Sequence, residues 1–389
     1  MKFFLFLILL TSTHLQAAYY DVLPKGVRNF TYQFTVTGEI NGRYTNSGNL
    51  QGYNVNANIN ADAIKGINTA VDTYLNSLSA DDYSNFSFGT FQGKASSKVN
   101  VQGIGGGYGL TDKITFYGFI PFYSATVDMN IVRTAKGQNN VGTAIQLENL
   151  PDVDVRLIQS LFVNYYHYQP LGKWKANDFG DTELGMMYQL KKWHNAGALI
   201  NMGVIAPTGR EDNPDIIQDI AFGDGQWDGF FEFGVGYTIP RSDFSFDEWS
   251  RVTYQFPYET DVRLPDSYTF PVTANKGKAK IKYGNKVQSN FQGSYRLSDQ
   301  WGAALTYTAE YKEKDDYKSS SAMADNILED GTERISHTGK FSVSYSTLNL
   351  YQQKKFFLPV SFNLAVQSIF AGKNSPKYNR ADFQVRFYF

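Results

Sequence analysis

The sequence is organised as repeated segments in which apolar and polar side chains alternate. In the closing segment, 381–389, Phe383, Val385, Phe387 and Phe389 fall on one parity and polar or charged residues fall on the other. Successive side chains of a β-strand point to opposite faces, so this segment predicts an amphipathic strand. The same alternation recurs in eleven earlier strands, which lie at 28–40, in a hairpin over 95–128, and at 183–190, 200–204, 231–237, 251–258, 287–297, 301–312, 341–345 and 360–367.

The connections between these strands alternate in length. Turns of a few residues, as at 110–113, 191–195 and 298–300, alternate with longer connections. Outer-membrane β-barrels have this asymmetry, together with an apolar band that faces lipid. A water-soluble sandwich would need a second sheet to cover so many aromatic faces. The pattern therefore predicts an all-β fold: a transmembrane antiparallel β-barrel of about 12 strands, forming one domain over 18–389 with both termini on the periplasmic side.

Two long insertions, at 41–94 and 129–177, break the strand pattern. Apolar residues at steps of three and four predict one helix over Asn60–Leu78, with Asn60 as its N-cap. A second helix is predicted over Pro151–His167, where aspartates near the N-terminus suit the helix dipole. We expect both short helices in extracellular loops. Two interpretations remain open: the helices act as a lid, plug or binding-site wall, or they pack on each other above the rim.

A glycine-rich stretch, 103–109, lies within the first strand of the hairpin. A dinucleotide-binding loop needs a strand before such a stretch and a helix after it, but residues 111–122 continue as strand. Glycines inside a strand mark a bulge, strong curvature or a close backbone approach. The stretch therefore predicts one of these features and not a nucleotide site.

The N-terminus has the layout of an export signal. One lysine precedes an apolar run from Phe3 to Leu10, and the small residues Ala17 and Ala18 follow. This layout predicts a cleavable signal peptide over 1–17, with cleavage after Ala17 or Ala18. No later apolar run reaches the roughly 18 residues that a spanning helix needs, and the chain has no cysteine. Export without a helical span or lipid anchor agrees with a location in the outer membrane of a Gram-negative-type bacterium.

Composition argues against nucleic acid and offers no cofactor site. Without Lys2 of the signal, 35 Lys and Arg stand against 37 Asp and Glu, whereas nucleic-acid surfaces need an excess of basic residues. The histidines show no pair at zinc-binding spacing. Asp212, Asp215, Asp219 and Asp224 share one loop but lack the spacing of a calcium loop, which favours a solvated acidic face. We therefore expect neither a metal nor another cofactor.

If the apolar parity faces lipid, the opposite parity lines the lumen. The charged residues on that parity are Glu183, Glu232, Arg251, Arg296, Glu310, Lys312, Lys340, Asp382 and Arg386. Four acids and five bases are nearly balanced, so we expect weak ion preference. Such charges either pair and fill the lumen or line a water-filled pore, and both interpretations remain open.

An outer-membrane phospholipase is one alternative for a barrel of this size. Its site would need a serine hydrogen-bonded to a histidine. Ser336 and His337 are adjacent, so they point to opposite faces of a strand and cannot form that pair there. We therefore do not predict an enzyme. A structural or adhesin-type barrel that acts through its outer loops is another alternative, which solute flux through the lumen would exclude.

Two short motifs resemble a known family. Gly180-Asp-Thr-Glu-Leu-Gly185 and, one hairpin later, Ala206-Pro-Thr-Gly-Arg210 resemble outer-membrane proteins of the MetA-pathway phenol-degradation family, which are proposed transporters. Residues 107–112, with Ile120-Pro121, are similar to the first internal hairpin of that family. The resemblance implies an outer-membrane channel that passes small solutes, apolar or aromatic compounds among them, by passive diffusion through the mixed-charge lumen.

The closing strand has two further expected roles. In a closed barrel it must pair with 28–40, which seals the edges of the sheet. Its terminal residue resembles the aromatic signal by which the barrel-assembly machinery recognises its clients, and we predict that Phe383, Val385, Phe387 and Phe389 form that assembly signal. The expected partners are therefore outer-membrane lipid, the barrel-assembly machinery and a small-molecule solute.

Overall fold

A computed structural model describes residues 19–66, 69–137, 155–268 and 272–389. The predicted signal peptide and the start of the second predicted helix, 151–154, lie outside this part of the chain. The strands are β1 (Arg28–Thr37), β2 (Gly42–Tyr44), β3 (Leu50–Gly52), β4 (Asn54–Asn60), β5 (Ser87–Thr111), β6 (Ile114–Lys136), β7 (Lys173–Phe179), β8 (Thr182–Lys192), β9 (Ala196–Ala206), β10 (Asp228–Thr238), β11 (Phe244–Gln255), β12 (Tyr258–Arg263), β13 (Lys276–Lys282), β14 (Lys286–Arg296), β15 (Trp301–Lys312), β16 (Asp316–Lys318), β17 (Arg334–Ser346), β18 (Val360–Lys373), β19 (Pro376–Lys377) and β20 (Asn379–Tyr388). The helices are α1 (Ala61–Ile64), α2 (Thr69–Asn76), α3 (Ala80–Asn85), α4 (Val155–Ser160) with a π-helical turn (Leu161–Tyr165), α5 (Ala322–Glu329) and α6 (Leu348–Gln352).

Twelve of these strands close into an antiparallel barrel. The order around the wall is β1, β5, β6, β8, β9, β10, β11, β14, β15, β17, β18 and β20, which returns to β1. Closure places Phe30 opposite Phe387 and Phe34 opposite Phe383. The predicted twelve-stranded barrel and the predicted pairing of its first and last strands are therefore confirmed.

The two faces of the barrel wall differ as the alternation predicts. On β1, Phe30, Phe34 and Val36 are exposed on the outer surface, whereas Thr31 and Gln33 are buried inside. Exposed aromatic and aliphatic side chains continue around the outer surface on the other barrel strands. A closed sheet with an apolar exterior and a polar interior is suited to lipid outside and a lumen inside.

The two ends of the barrel also differ. β1 begins and β20 ends at one end of the barrel, where most of the short turns also lie, and we call it the terminal end. The longer connections lie at the other end, which we call the loop end. Two connections depart from the expected alternation: 347–359 at the terminal end is long enough to carry α6, and 374–378 at the loop end is short.

The first two insertions form a lobe beyond the barrel, because β5 and β6 continue past it and pair there with β4 and β7. Leu75 and Phe86 of the first insertion share an apolar cluster with Phe162 of the second. The Tyr165 hydroxyl donates to the Gly66 carbonyl oxygen at 2.8 Å. The two insertions therefore pack on each other, which was one of the two open interpretations.

The predicted helices are present in altered form. Asn60–Leu78 contains α1 and α2 in place of one helix, and the Asn60 side chain accepts from the Ala63 N–H at 3.0 Å as the predicted N-cap. Pro151–His167 contains α4 and its π-helical turn. The central hairpin is longer than 95–128, so the ends of both predicted insertions are strand.

Smaller sheets at the loop end cover other parts of the rim. β12, β13 and β16 form one sheet, and β2, β3 and β19 form another. The first packs with α5 around Val262, Ile281, Tyr317 and Ala324. No helix in the described ranges has the length and apolar character needed to cross a bilayer.

Candidate functional site in the lumen

A cavity of about 580 Å³ lies in the lumen towards the terminal end. Leu348 and Tyr351 of α6, together with Phe389, line its outer part, and Trp249 and Arg251 line its inner part. Aromatic, aliphatic and polar side chains share the wall. The cavity is large enough for a small organic molecule.

Arg251 of β11 is the centre of a buried polar group at the inner part of the cavity. Its guanidinium donates two hydrogen bonds to the Glu183 carboxylate in a bidentate arrangement, at 2.8 Å and 3.3 Å. The guanidinium carbon also lies 3.7 Å from the ring centre of Phe230. Only 8% of the Arg251 side chain and 10% of the Glu183 side chain are exposed. The bidentate geometry lets the charge and hydrogen bonds of each partner offset part of the desolvation cost of the other.

Neutral side chains connect this ion pair to a second carboxylate. The Tyr117 hydroxyl donates to Glu183 at 2.8 Å and lies 3.1 Å from the Asn201 Oδ1. The Asn201 Nδ2 in turn donates to Glu232 at 3.3 Å. We call Tyr117, Glu183, Asn201, Glu232 and Arg251 the inner network.

Strand register brings the inner network together. Asn201, Glu232 and Arg251 are consecutive cross-strand partners on β9, β10 and β11. Tyr117 lies opposite Gly185 on β8. A Cβ atom on Gly185 would lie 2.5 Å from the Tyr117 ring, so glycine at this position lets the ring cross β8 and reach Asn201.

The N-terminal segment, 19–27, enters the lumen and contacts this network. The Tyr19 ring stacks on Trp249 with 4.7 Å between ring centres and 10° between planes. Its hydroxyl donates to Glu232, and its backbone N–H donates to Asp247 at 3.3 Å. Tyr20 is buried beside it against β9 and β10. The N-terminal segment therefore fills part of the lumen with two aromatic rings.

β5 and β6 hold the rest of the N-terminal segment. The Leu23 N–H donates to the Thr115 hydroxyl at 2.8 Å, and the Gly26 N–H donates to the Gly109 carbonyl oxygen at 2.8 Å. A Cβ atom on Gly109 would lie 2.1 Å from the Pro24 carbonyl oxygen. The glycine-rich stretch therefore allows the backbone of the N-terminal segment to approach β5 closely, which is one of the features predicted for it.

At the loop end, the side of the lumen formed by β5 and β6 is apolar, whereas buried polar and charged side chains, among them Asp228, Gln255 and Lys286, lie on β10, β11 and β14. A buried cluster joins inward residues of β5 and β6 to two residues of the connection 207–227, which we call the inner loop: Val99, Val101, Phe119, Tyr123, Ala125, Val127, Ile220 and Phe222. Phe222 of the inner loop stacks on Tyr123 of β6, with ring centres 5.2 Å apart and 12° between planes. The inner loop therefore enters the barrel and packs on its wall.

The two motif segments hold the inner loop in place. The Asp181 carboxylate accepts from the backbone N–H groups of Gly209 at 2.9 Å and Asp224 at 3.1 Å. The Thr208 hydroxyl donates to the Gly180 carbonyl oxygen at 3.1 Å. Burial raises the pKa of Asp181 to about 6, against the opposing effect of these two backbone hydrogen bonds.

The acidic inner loop is mostly not a solvated acidic face, contrary to expectation. Asp219 makes a two-pronged ion pair with Arg210, at 2.7 Å and 2.8 Å. Asp215 pairs with Arg263 at 2.5 Å. Asp219 and Asp224 are each only 3% exposed. The expectation was wrong for these two residues because the loop folds into the barrel.

Within the described ranges, no three His, Cys, Asp or Glu side chains are grouped to hold a metal ion.

A second group of the predicted lumen residues lies on β17 and β20. Asp382 accepts from the Arg380 Nε at 3.0 Å and from the Thr35 hydroxyl at 2.6 Å. Lys340 is buried in the same part of the barrel. Arg386 lines the cavity.

The remaining predicted residues lie near the ends of their strands. Glu310 pairs with Arg334 at 2.6 Å, and Lys312 pairs with Asp315, both near the loop end. Arg296 lies at the terminal end, where 56% of its side chain is exposed. The structure thus brings Glu183, Glu232 and Arg251 together and leaves these three residues apart from them.

Ser336 and His337 point to opposite faces of β17, as adjacency predicts. Ser336 is buried inside the barrel. The His337 Nδ1 lies 2.7 Å from the hydroxyl of Tyr307, whose ring is exposed on the outer surface. The pair required for a serine hydrolase is not formed by these two residues.

Sequence reasoning missed several residues of the site. Trp249 and Asp247 share the inward parity of Arg251, so the alternation could have found them. Asn201 lies on the polar parity of the predicted strand 200–204, but it carries no charge, and charge is the signal that assigns residues to the lumen. Tyr19 lies directly after the predicted cleavage site, where no strand pattern gives it a position.

These features define the class of the protein as an outer-membrane β-barrel: a closed antiparallel wall, an apolar exterior, first and last strands that start and finish at one end, and a polar group inside. The outer-membrane location predicted from the sequence agrees with this fold.

One comparison with a solved structure agrees at the level of the fold. No family model matches the chain, and no curated protein matches its sequence. An outer membrane channel from Pseudomonas putida F1 has a TM-score of 0.54 and 12% identity, and the match covers 95% of this chain and 98% of that one. The P. putida toluene transporter TodX has a TM-score of 0.37 and 11% identity, with 94% and 90% covered. The Ralstonia pickettii toluene transporter TbuX has a TM-score of 0.36 and 10% identity, with 94% and 90% covered.

Proposed function

We propose that this protein is an outer-membrane channel through which small apolar or aromatic solutes diffuse. The observation that carries the proposal is the composition of the lumen. Apolar side chains of β5 and β6 line one side of its loop-end part, and the cavity towards the terminal end has a mixed wall. A neutral ring compound would gain aromatic and aliphatic contacts along this route.

The charges of the lumen support a neutral solute over an ion. Arg251 is paired with Glu183, and Arg380 is paired with Asp382. Paired charges produce a weak net field, so they neither attract nor exclude one sign of ion strongly. The mixed-charge lumen expected from the sequence thus fits passive diffusion of uncharged molecules.

The solved outer membrane channel from P. putida F1 supports the class of function, because its barrel shares this fold. The class of solute is proposed from the lumen of this chain. A structural or adhesin-type barrel remains the alternative that the experiment below would favour if no flux is found.

Two elements narrow the proposed route. The N-terminal segment lies beside the inner network, and Phe222 of the inner loop lies across the apolar part. Both elements therefore limit the width of the proposed route. Replacing Phe222 by alanine removes the ring that stacks on Tyr123 and should widen the route.

The test is single-channel conductance in planar bilayers for wild type, Phe222→Ala and Phe231→Ala. Phe222 is 7% exposed inside the barrel, whereas Phe231 is 46% exposed on the outer surface and serves as a matched phenylalanine control. We expect larger or more frequent openings for Phe222→Ala and wild-type behaviour for Phe231→Ala. Cells with intact lipopolysaccharide should also accumulate a radiolabelled monoaromatic compound faster when they carry Phe222→Ala. If none of the three proteins conducts in bilayers and none increases uptake by cells, the proposed channel function is rejected.

A further inference from the structure

We propose that the connection 347–359 covers the terminal-end opening of the lumen and is held there by lipid. Its exposed segment 354–357, which we call the tip, docks on the phospholipid surface of the membrane. Most other connections at this end are short turns, whereas this one carries α6. The inference rests on the outer-membrane location of the barrel and not on the solute that the channel passes.

Hydrogen bonds fix the shape of this connection. Thr347 is 2% exposed; its N–H donates to the Val360 carbonyl oxygen at 2.9 Å, and its hydroxyl donates to the Leu358 carbonyl oxygen at 2.6 Å. Nearer the tip, the Lys355 N–H donates to the Leu350 carbonyl oxygen at 2.8 Å. The connection is therefore one hydrogen-bonded unit, and its backbone sets the direction of the tip.

α6 lies on the lumen side of this unit. Asn349 and Tyr351 line the outer part of the cavity. The Asn349 Nδ2 also donates to the Asp299 carbonyl oxygen, in the turn between β14 and β15, at 3.2 Å. Phe356 and Phe357 are not among the described residues that line the cavity. The connection thus presents α6 to the lumen and its two phenylalanines elsewhere.

The tip exposes a large apolar surface. The Phe357 side chain is 81% exposed, the highest value of any large apolar residue in the described part of the chain. Phe356 is 38% exposed, and the two ring centres are 4.9 Å apart. Exposed apolar area is unfavourable in water, and adjoining exposed rings mark a contact with a protein or a membrane. The tip therefore requires a partner with an apolar surface.

Two lysines beside the rings indicate lipid as that partner. Lys354 and Lys355 are exposed, and the connection 347–359 contains no acidic residue. Lys354 has a φ of 58°, the left-handed conformation in which glycine is the usual residue after a helix. Lysine at this strained position keeps an ammonium group next to the rings. A phospholipid surface offers phosphates to the ammonium groups and acyl chains to the rings.

The tip is close to the lipid-facing band of the barrel. Phe357 is three residues from Val360, the first residue of β18, so at most about 11 Å separates their Cα atoms. Phe362 of β18 faces lipid, and its ring forms a row with Tyr345 and Trp301, with centres 6.5 Å and 4.9 Å apart. The headgroup layer beside the hydrocarbon is about 5–8 Å thick. The tip thus extends an existing lipid contact into that layer.

The first test measures contact between the tip and lipid. The chain has no cysteine, so Phe356→Cys provides a single attachment point for bimane and retains Phe357. The protein is placed in phospholipid nanodiscs with and without lipids brominated near the headgroup end of the acyl chains. We expect bromine to quench bimane several-fold more at this position than at Arg241→Cys, an exposed position in the short turn between β10 and β11. Adding Phe357→Ser should reduce the quenching towards that control.

The second test replaces phosphatidylcholine by phosphatidylglycerol in the nanodiscs. Each lysine near an anionic surface contributes about a fivefold preference at low salt, so quenching at position 356 should increase and the increase should shrink at high salt. Lys354→Gln with Lys355→Gln should remove the increase. Lys25→Gln with Lys113→Gln removes the same charge from exposed positions at the terminal end and should retain it.

The third test measures whether the connection covers the lumen. Ser344 lines the cavity and is 8% exposed, so Ser344→Cys reports the access of a water-soluble maleimide to the cavity. With Phe356→Ser and Phe357→Ser, α6 loses its attachment to lipid, and we expect several-fold faster labelling in nanodiscs. Phe244→Ser is the matched control, because Phe244 is 48% exposed at the start of β11 at the same end. It should leave the labelling rate unchanged.

The lipid contact and the cover can be rejected separately. Equal quenching at positions 356 and 241 would overturn the lipid contact and leave the tip to a soluble partner. Quenching at 356 with an unchanged labelling rate at 344 would overturn the cover, because α6 would then stay in place without lipid. A heat-modifiable band for each variant shows that its barrel is assembled. Absence of conductance would bear on the proposed channel and on none of these measurements.

Discussion

Arg251 offsets the negative charge of two buried carboxylates. It is paired with Glu183, and it lies beside Glu232 on the neighbouring strand. Removing its charge would leave both carboxylates in a part of the barrel with little solvent. The residue therefore matters to stability independently of any role in conduction.

We predict that Arg251→Met lowers the free energy of unfolding by about 3–5 kcal/mol, the range found when one partner of a buried ion pair is removed. Denaturant unfolding in detergent measures the change. Arg296→Met is the matched control, because Arg296 and its partner Asp243 are 56% and 46% exposed, and exposed pairs contribute about 1 kcal/mol or less. Equal losses in the two variants would show that the inner network adds no more stability than an exposed pair.

Asp181 makes the docking of the inner loop dependent on pH. Burial raises its pKa from the ordinary value of 3.8 to about 6, and Asp228 and Lys286 add opposing charge effects. The folded state therefore binds this proton more tightly than the unfolded state. Its contribution to stability is fully present below about pH 4 and is lost as the pH rises through about 6.

We therefore expect the backbone amides of Gly209 and Asp224 to be better protected from hydrogen exchange at pH 5 than at pH 7.5, after correction for the intrinsic pH dependence of exchange. Asp181→Asn should reduce this difference, since an amide cannot ionise. Some difference will remain, because burial also raises the pKa of Asp224. Protection that increases with pH would contradict the prediction.

At the scale of elements, the closing strand joins the two ends of the chain. β20 pairs with β1 along its length, and beyond the strand Phe389 continues the pairing: its N–H donates to the Arg28 carbonyl oxygen at 3.0 Å, and its carbonyl oxygen accepts from the Arg28 N–H at 2.8 Å. Its ring is exposed at the terminal end. We propose that the assembly machinery recognises the strand at this end before the barrel closes.

We predict that deletion of Phe389 reduces assembly in the outer membrane, because it removes both the terminal aromatic group and the last pair of closing hydrogen bonds. The measurement is the fraction of protein in cell membranes that migrates as a compact, heat-modifiable band. Phe357→Ser is a suitable control, since Phe357 is exposed at the same end but lies outside the barrel strands. Normal assembly of the deletion variant would reject an assembly signal that includes Phe389.

The whole barrel was predictable from the sequence to the extent that alternation dictates it. The parity of residues such as Phe30 and Thr31 follows from which face meets lipid, and twelve such strands must close to pair their edges. The inward position of Arg251 and Glu232 followed in the same way. Their assembly into one network with Asn201 did not follow, because it depends on register across three strands.

Other parts depended on contacts that no periodicity encodes. Ile220 and Phe222 are apolar residues in a polar loop, which signals burial but not the wall against which they pack. Glu310 lies on the polar parity of its predicted strand, but its partner Arg334 lies between the predicted strands 301–312 and 341–345, where the sequence predicts a loop. Tyr19 reaches the inner network from a segment without strand alternation, so only the three-dimensional structure reveals it.

The long hairpin of β5 and β6 has a consequence for the order of folding. Its strands meet at a turn between Thr111 and Ile114 and pair from there along most of their length, so its contacts are close in sequence. The closing pair of Phe30 with Phe387 joins opposite ends of the chain and carries the largest loop-closure cost. We expect the hairpin to form first and to act as a template, on which β1 pairs with β5 and β8 pairs with β6. In this order of folding, the part of β5 and β6 that binds the N-terminal segment forms before the barrel closes, so the lumen is partly filled when closure occurs.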